Sequence, residues 1–392
     1  MNWDIPEKPR INPPNTPAVM VQWRVMSALV HDLDPADRDQ VRRWTGKGAQ
    51  ERPRPPAAAA AKVPGSLTMI PAGYQREAKP TRETSLPRTQ VAAASQGAEH
   101  PTTAPRYGWE AELSQESPLP KAMDSHFHLD RTVKQLRKGS RVTTSAQLVS
   151  ACPSVRPEVP VQVVGGVEVY CDPETFPEDL TREPGWKIAI GLHPKAAVGA
   201  GNQVLQEIRR LVASPHVAAL GEIGLDRTVG SDKWTKQEDV FRELLSMANP
   251  AKPVILHLRG AAGDKYACDT HALALVTVKE MCDSTKLIHI HNFAGELRTL
   301  RRWRQAFRHC YFSFSAMVAD FDDRQVEALR DVPLDRILLE TDSPYLMPRP
   351  DQRYNTPAYI GDVAQEVIRH RGGDIKRLLH TAMSNTRCLY GD

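Results

Sequence analysis

The chain has 392 residues, 41% of them hydrophobic, and 51 basic against 47 acidic side chains. A net charge of +4 is too small to announce nucleic acid by itself, so a basic track has to be argued locally. No apolar run approaches the roughly 18 residues of a membrane span, and the start Met-Asn-Trp-Asp-Ile-Pro lacks the basic and apolar regions of a secretory leader, so neither a membrane nor a secreted class is expected.

In chain order, the first 120 residues stand apart. They hold 17 of the 32 prolines, and the stretch 48–118 is rich in Pro, Ala, Thr, Gln and Arg. Such a segment buries too little apolar surface to offset ordering its backbone, so it is expected to be a disordered arm. Within 19–44, Met20, Trp23, Met26, Leu29, Val30 and Leu33 recur at helical spacing. This reads either as a marginal helix or as a docking helix for a protein partner or for the domain that follows.

From residue 121 the chain alternates apolar strands with amphipathic stretches. The expected strands are 122–128, 161–171, 187–192, 217–223, 254–257, 287–291, 311–315 and 336–340. The expected helices are 203–212, 238–247, 271–282, 297–307, 324–329, 359–369 and 375–390. Eight strand–helix units in about 270 residues match a (β/α)8 TIM barrel. The alternative, a doubly wound open sheet, predicts a Gly-rich loop after the first strand, and none is there.

The six cysteines, Cys152, Cys171, Cys268, Cys282, Cys310 and Cys388, form no CxxC pair and are scattered. They read as buried free thiols in a reducing, intracellular chain, cytoplasmic or nuclear.

The histidines are the informative residues. His126 and His128 form an HxH pair closing the first strand, and residues i and i+2 of a strand point the same way. His257 closes the fifth strand, His289 and His291 the sixth, Glu222 the fourth and Asp342 the eighth. Taken singly, each could be a satisfied structural group. Together, at the strand ends where barrel enzymes carry their chemistry, imidazoles and carboxylates point to a site for zinc, manganese or magnesium.

The chain further resembles the TatD-like metal-dependent hydrolases, a deoxyribonuclease branch of the amidohydrolase-type barrels. The matching segments are DSHFHLD at 124–130, GLHP at 191–194, GEIGLD at 221–226, PVILHLR at 253–259, HNFAG at 291–295, LLETDSPYL at 338–346, YNTP at 354–357 and NTRCLY at 385–390. The resemblance covers about residues 122–391 and leaves the arm without a counterpart. It implies two divalent metal ions. His126, His128 and Asp342 would hold the first, His257 and His291 the second, and Glu222 would bridge them. Asp342 would act as general base on a water made acidic by the metals. His193 would stand near substrate, Glu340 would touch metal or water, and His289 would be structural. Arg259, Arg353, Asn355 and Asn292 are the expected substrate contacts. Arg227, Asn292 and Ala294 depart from the family pattern, which bears on substrate choice. The arginines of 297–309 read as a solvated outer helix face.

The function expected is hydrolysis of DNA or RNA phosphodiesters, trimming from a strand end. The alternatives are a metal-dependent hydrolase of a small cyclic amide, lactone or phosphotriester, which needs a closed pocket, and a non-catalytic interaction protein, which the intact ligand set disfavours.

Overall fold

The strands of this chain line up side by side in the order in which they are made. The computed structural model describes residues 118–136, 142–150 and 155–392. The proposed arm, its helix at 19–44 and Cys152 lie outside these residues.

Eight strands, β1 (Lys121–Phe127), β2 (Gln162–Tyr170), β3 (Trp186–Ile190), β4 (Val217–Asp226), β5 (Val254–Arg259), β6 (Leu287–Ile290), β7 (His309–Phe314) and β8 (Ile337–Leu339), form one sheet in sequence order. Every neighbouring pair is parallel. The last strand returns to the first: Asp342 N–H donates to His126 O at 3.0 Å, and His128 N–H donates to Ser343 O at 2.9 Å. These bonds close the parallel sheet into a barrel.

Strand alternation sorts the side chains into two cores. Ile188, Ile190, Val254, Leu256, Ile288 and Ile290 face outward and pack under the helices. The residues between them, Ala189 and Ile255, face inward with Val167, Val169, Ala219 and Leu338. The helices are α1 (Leu129–Gln135), α2 (Ser145–Ser150), α3 (Pro194–Ala197), α4 (Asn202–Val212), α5 (Trp234–Leu245), α6 (Cys268–Met281), α7 (Leu297–Ala306), α8 (Asp323–Asp331), α9 (Ile360–Arg371) and α10 (Ile375–Tyr390). On α7, Leu300 and Trp303 are buried at helical spacing while Arg301 and Arg304 pair with Asp331 outside, as expected for an amphipathic cover. Asp322 caps α8 in a reciprocal box with Gln325. α10 crosses the barrel floor, where its Leu389 and Tyr390 join the inner core.

The apolar spacing anticipates seven of these helices within a few residues. It misses α1, α2 and α3, which are too short to show a period. Two strand bounds differ in a way that matters for the site: β6 ends at Ile290 and β8 at Leu339. His291, Glu340 and Asp342 therefore lie beyond their strands and are aimed by loop backbone. Among the cysteines of described residues all five are free, but only Cys171 and Cys310 are buried; Cys388 is exposed.

Candidate metal centre

Five strand ends deliver their polar groups to one end of the barrel. Glu222, in β4, sits at the middle. Its Oε2 lies 3.6 Å from His126 Nε2, 3.4 Å from His257 Nδ1 and 3.6 Å from His291 Nε2. Its Oε1 lies 4.0 Å from His128 Nε2 and 3.8 Å from His193 Nε2. Asp342 Oδ1 closes the group, 3.5 Å from His128 Nε2 and 3.9 Å from His126 Nε2. The six expected ligands thus lie in one cluster.

The spacing suits cations. Donor atoms about 2.1 Å from a tetrahedral ion stand about 3.4 Å from one another. Among the described residues, four overlapping sets of donors are close enough to share an ion: His126, His128 and Glu222; His126, His291 and Asp342; Glu222, His257 and His291; and His193, Asp226 and His257. His126 Nδ1 and Nε2, Glu222 Oε2 and His257 Nδ1 are buried without a hydrogen bond. Orphaned buried polar atoms call for a partner, and a divalent cation at these donors supplies one.

Neighbouring bonds aim the imidazoles. His128 Nδ1 is 2.8 Å from Val169 O, so it carries the proton and leaves Nε2 for a metal. His257 is held by Asp226, whose Oδ2 is 3.3 Å from Nε2, and its Nδ1 faces Glu222. His291 Nδ1 approaches Glu340 Oε1 to 2.9 Å, which turns Nε2 inward to the site. Burial disfavours charge on His291, but Glu340, Asp342 and Glu222 outweigh it and raise its pKa to about 10. Burial likewise pushes the Glu222 carboxyl up, and the close approach of His257 with the charges of His193, His257 and His291 pulls it well below the ordinary range. The cluster is therefore rich in negative potential that protons answer and a cation would answer better.

His193 differs from the others. Its Nδ1 accepts the Lys195 N–H at 3.1 Å, and burial lowers its pKa to about 3. The ring is neutral and its proton sits on Nε2, which makes it a hydrogen-bond donor beside Glu222.

The cluster floors an open cavity of about 1370 Å3. Four non-glycine residues take positive φ among the described residues: Ala267, Asn292, Asp342 and Leu346. All four line this cavity. Concentrated backbone strain of this kind marks a functional region. Gly221 carries φ +153, and a Cβ there would meet Ile255 Cβ at 2.5 Å; only glycine lets β4 pass β5 closely enough to place Glu222 centrally.

The other expected residues divide. Arg259 is exposed and lines the cavity, as does Asn292, whose Oδ1 accepts the Ser315 hydroxyl at 2.7 Å. Asn355 does not reach it. It is fully buried, and its Nδ2 donates to the carbonyls of Thr341, Tyr345 and Leu346, so it fastens the loop after β8. Arg353 is exposed and outside the cavity lining. Glu340, expected to touch metal or water, follows the inward-facing Leu338 on the same face and is fully buried between His291 and His289, one layer beneath the ligand cluster. His289 points to the floor, with Nδ1 2.6 Å from the Tyr390 hydroxyl.

Sequence reasoning passed over Arg131, Asp172, Cys171 and Asp226. Arg131 is clamped by Asp172 at 2.7 Å and 2.9 Å and stands 3.3 Å from His128 Nε2. The Cys171 thiol donates to Glu222 Oε1 at 3.2 Å. Only Asp226 carried a signal, being the last residue of the GEIGLD segment. Arg227 pairs with Glu238 and covers Trp234, with its guanidinium carbon 4.8 Å from the ring centroid.

Residues 123–391 match the family model described as TatD related DNase. The chain is 31% identical over 217 residues to the "3'-5' ssDNA/RNA exonuclease TatD" of Enterobacter lignolyticus, covering 53% of this chain and 78% of that one. It is 26% identical over 279 residues to the human "3'-5' RNA nuclease TATDN2", covering 68% of this chain and 35% of that protein. Among solved structures, it resembles YJJV, a TatD homolog from Escherichia coli K12, with TM-score 0.54, 21% identity and coverage of 69% and 98%. It also resembles a TatD family hydrolase from Entamoeba histolytica, with TM-score 0.56, 17% identity and coverage of 70% and 99%. At these identities the structures speak for the fold, and the family match spans most of the chain: it belongs to the TatD-related DNase family of metal-dependent hydrolases.

Proposed function

We propose that this chain is a metal-dependent nuclease that removes nucleotides from an end of single-stranded DNA or RNA. The observation that carries the reading is the Glu222 carboxylate, ringed by five imidazoles and faced by Asp342, at the floor of an open cavity. The names of the bacterial and human relatives give the substrate class and the 3'-to-5' direction. The cavity, about 1370 Å3, exceeds the ~300–1,000 Å3 usual for small-molecule pockets, which favours a polymer end over a cyclic amide or lactone.

In this reading His126, His128 and Asp342 would hold one cation and His257 and His291 a second, with the Glu222 carboxylate placed to serve both. Divalent cations there would polarise a phosphoryl oxygen and lower the pKa of water, with magnesium, manganese and zinc all suited to the donor set. The Asp342 carboxylate, at the open edge of the cluster, accepts the proton of the attacking water. The His193 Nε2–H donates toward the reacting phosphate. Arg259 binds phosphate at the rim, and Asn292 contacts substrate beside it. Asp226 and Glu340 act through His257 and His291, holding each ring in the orientation that frees its inward nitrogen.

No helix among the described residues is long and apolar enough to cross a membrane. Free thiols at Cys171, Cys268, Cys282, Cys310 and Cys388 suit a reducing, intracellular setting. Residues 1–120 are read as an arm preceding the barrel, with 19–44 either a marginal helix or a docking helix for a protein partner or for the barrel.

The test is incubation of the purified protein with end-labelled single-stranded DNA and RNA, with and without added magnesium, manganese or zinc. Metal-dependent release of mononucleotides is expected. Intact oligonucleotides under all conditions would sink the reading.

A further inference from the structure

Three large hydrophobic side chains are exposed among the described residues: Met281, Tyr345 and Met347. Two of them, Tyr345 and Met347, belong to the loop that follows β8, within five residues of Asp342. The cavity is lined by Asp, His, Arg and Lys together with small and aliphatic residues, and apart from the histidines Tyr345 is the one aromatic ring among the lining residues. It stands there with 44% of its surface exposed.

The ring is held in place. Its backbone N–H donates to Asp342 O at 3.0 Å, and its carbonyl accepts Asn355 Nδ2 at 2.8 Å. The guanidinium carbon of Arg131 lies 5.9 Å from the ring centroid, and the Asp172 clamp fixes that guanidinium in turn. The ring centroid is 6.3 Å from that of His128, edge to face. An aromatic surface is thus fixed within one nucleotide's reach of the candidate metal centre, with the Arg131 cation beside it, between the ring and His128, to polarise it. Aromatic faces of this kind hold nucleobases without regard to sequence, because every base has a π-face.

Resting on the nuclease reading, we propose that Tyr345 is the platform on which the base adjoining the scissile phosphodiester stacks. The site then requires a base and reads none in particular. Arg131 is the positioning residue that holds the ring.

The experiment uses two probes that no phosphodiesterase cleaves, deoxyadenosine 5'-monophosphate and deoxyribose 5-phosphate, titrated calorimetrically into the manganese-loaded full chain. The wild type is expected to bind the nucleotide about tenfold or more tightly than the sugar phosphate, the range that base–aromatic stacking supplies. Tyr345→Ala should bind the two probes alike, with affinity for the sugar phosphate unchanged. Tyr345→Phe should restore the preference, since stacking needs the ring and not the hydroxyl. A wild type that does not distinguish the probes, or binds neither, overturns the platform, as does Tyr345→Ala that keeps the preference. Failure of the nuclease reading looks different: oligonucleotides stay uncut while the base preference and its loss in Tyr345→Ala persist.

Discussion

Replacing Glu340 by Gln separates the binding of metal from the stability of the fold. The Glu340 carboxylate is fully buried, with one oxygen 2.9 Å from His291 Nδ1 and the other 3.6 Å from His289 Nε2. Burial pushes this carboxyl up, but the His291 charge, the contacts to His289 and His291 and the His126 charge hold it well below its ordinary range. A Gln amide keeps the shape and offers only one acceptor oxygen. Its NH2 must then confront one of two imidazole N–H groups, and His291 loses the anion that keeps its proton on Nδ1. Removing such a supporting partner costs about 10–100-fold in metal affinity, or about 1.4–2.8 kcal/mol. Folding should respond differently. The amide is cheaper to bury than the carboxylate, and His291, without its anion, sheds its extra proton so that a neutral pair replaces the ion pair; the metal-free variant should therefore unfold within about 1 kcal/mol of the wild type. The assay is calorimetric titration of chelator-stripped protein with manganese or zinc, beside urea unfolding of the same stripped sample. Unchanged metal affinity together with a clear loss of metal-free stability would refute the argument and leave Glu340 as a structural residue only.

Asp342→Asn is expected to slow nucleotide release by about 10²–10⁴-fold, measured by single-turnover cleavage, because the amide accepts no proton. Arg259→Ala should leave metal content by elemental analysis unchanged while raising KM. His271, buried in α6 and accepting the Trp303 indole N–H at 3.1 Å, has its pKa lowered by burial to about 3. Its folded-state pKa lies below the unfolded value of 6.5. The unfolded chain therefore gains a proton first, and stability falls as pH drops from about 6.5 toward 3, by about 1.4 kcal/mol per unit from this group. Urea unfolding at pH 7, 6, 5 and 4 should show a shallower acid loss in His271→Gln. A chain trimmed to residues 121–392 should retain the metal content and cooperative unfolding of the full chain.

The barrel was legible because its signals are local. Runs such as Val-Ile-Leu at 254–256 and Leu-Ile-His-Ile at 287–290 bury one face against helices and one in the barrel, which marks them as strands whatever the surroundings. The six ligand candidates were legible for the same reason, since each sits at or just past such a run. What two-residue alternation could not show is depth. His289 and His291 do share the inner face and both meet Glu340, yet His289 reaches Tyr390 at the floor while His291 reaches Glu222 at the centre. Asp342, past the end of β8 with φ +51, turns toward His126 and His128. Asn355 looked like a substrate contact because polar loop residues usually are. Its burial under three carbonyls depends on how the loop folds back, which no local pattern encodes. Arg131 and Asp172 meet across 41 positions and left no trace in either neighbourhood.

Tyr390 closes the barrel floor from the last turn of α10, and through His289 it lies beneath the group that orients His291. During synthesis this residue leaves the ribosome after every strand has been made. A nascent chain can pair β1 through β8 and still lack the floor of its inner core. The inner core, and the chain of contacts that supports His291, are thereby complete only once α10 has packed against the strands.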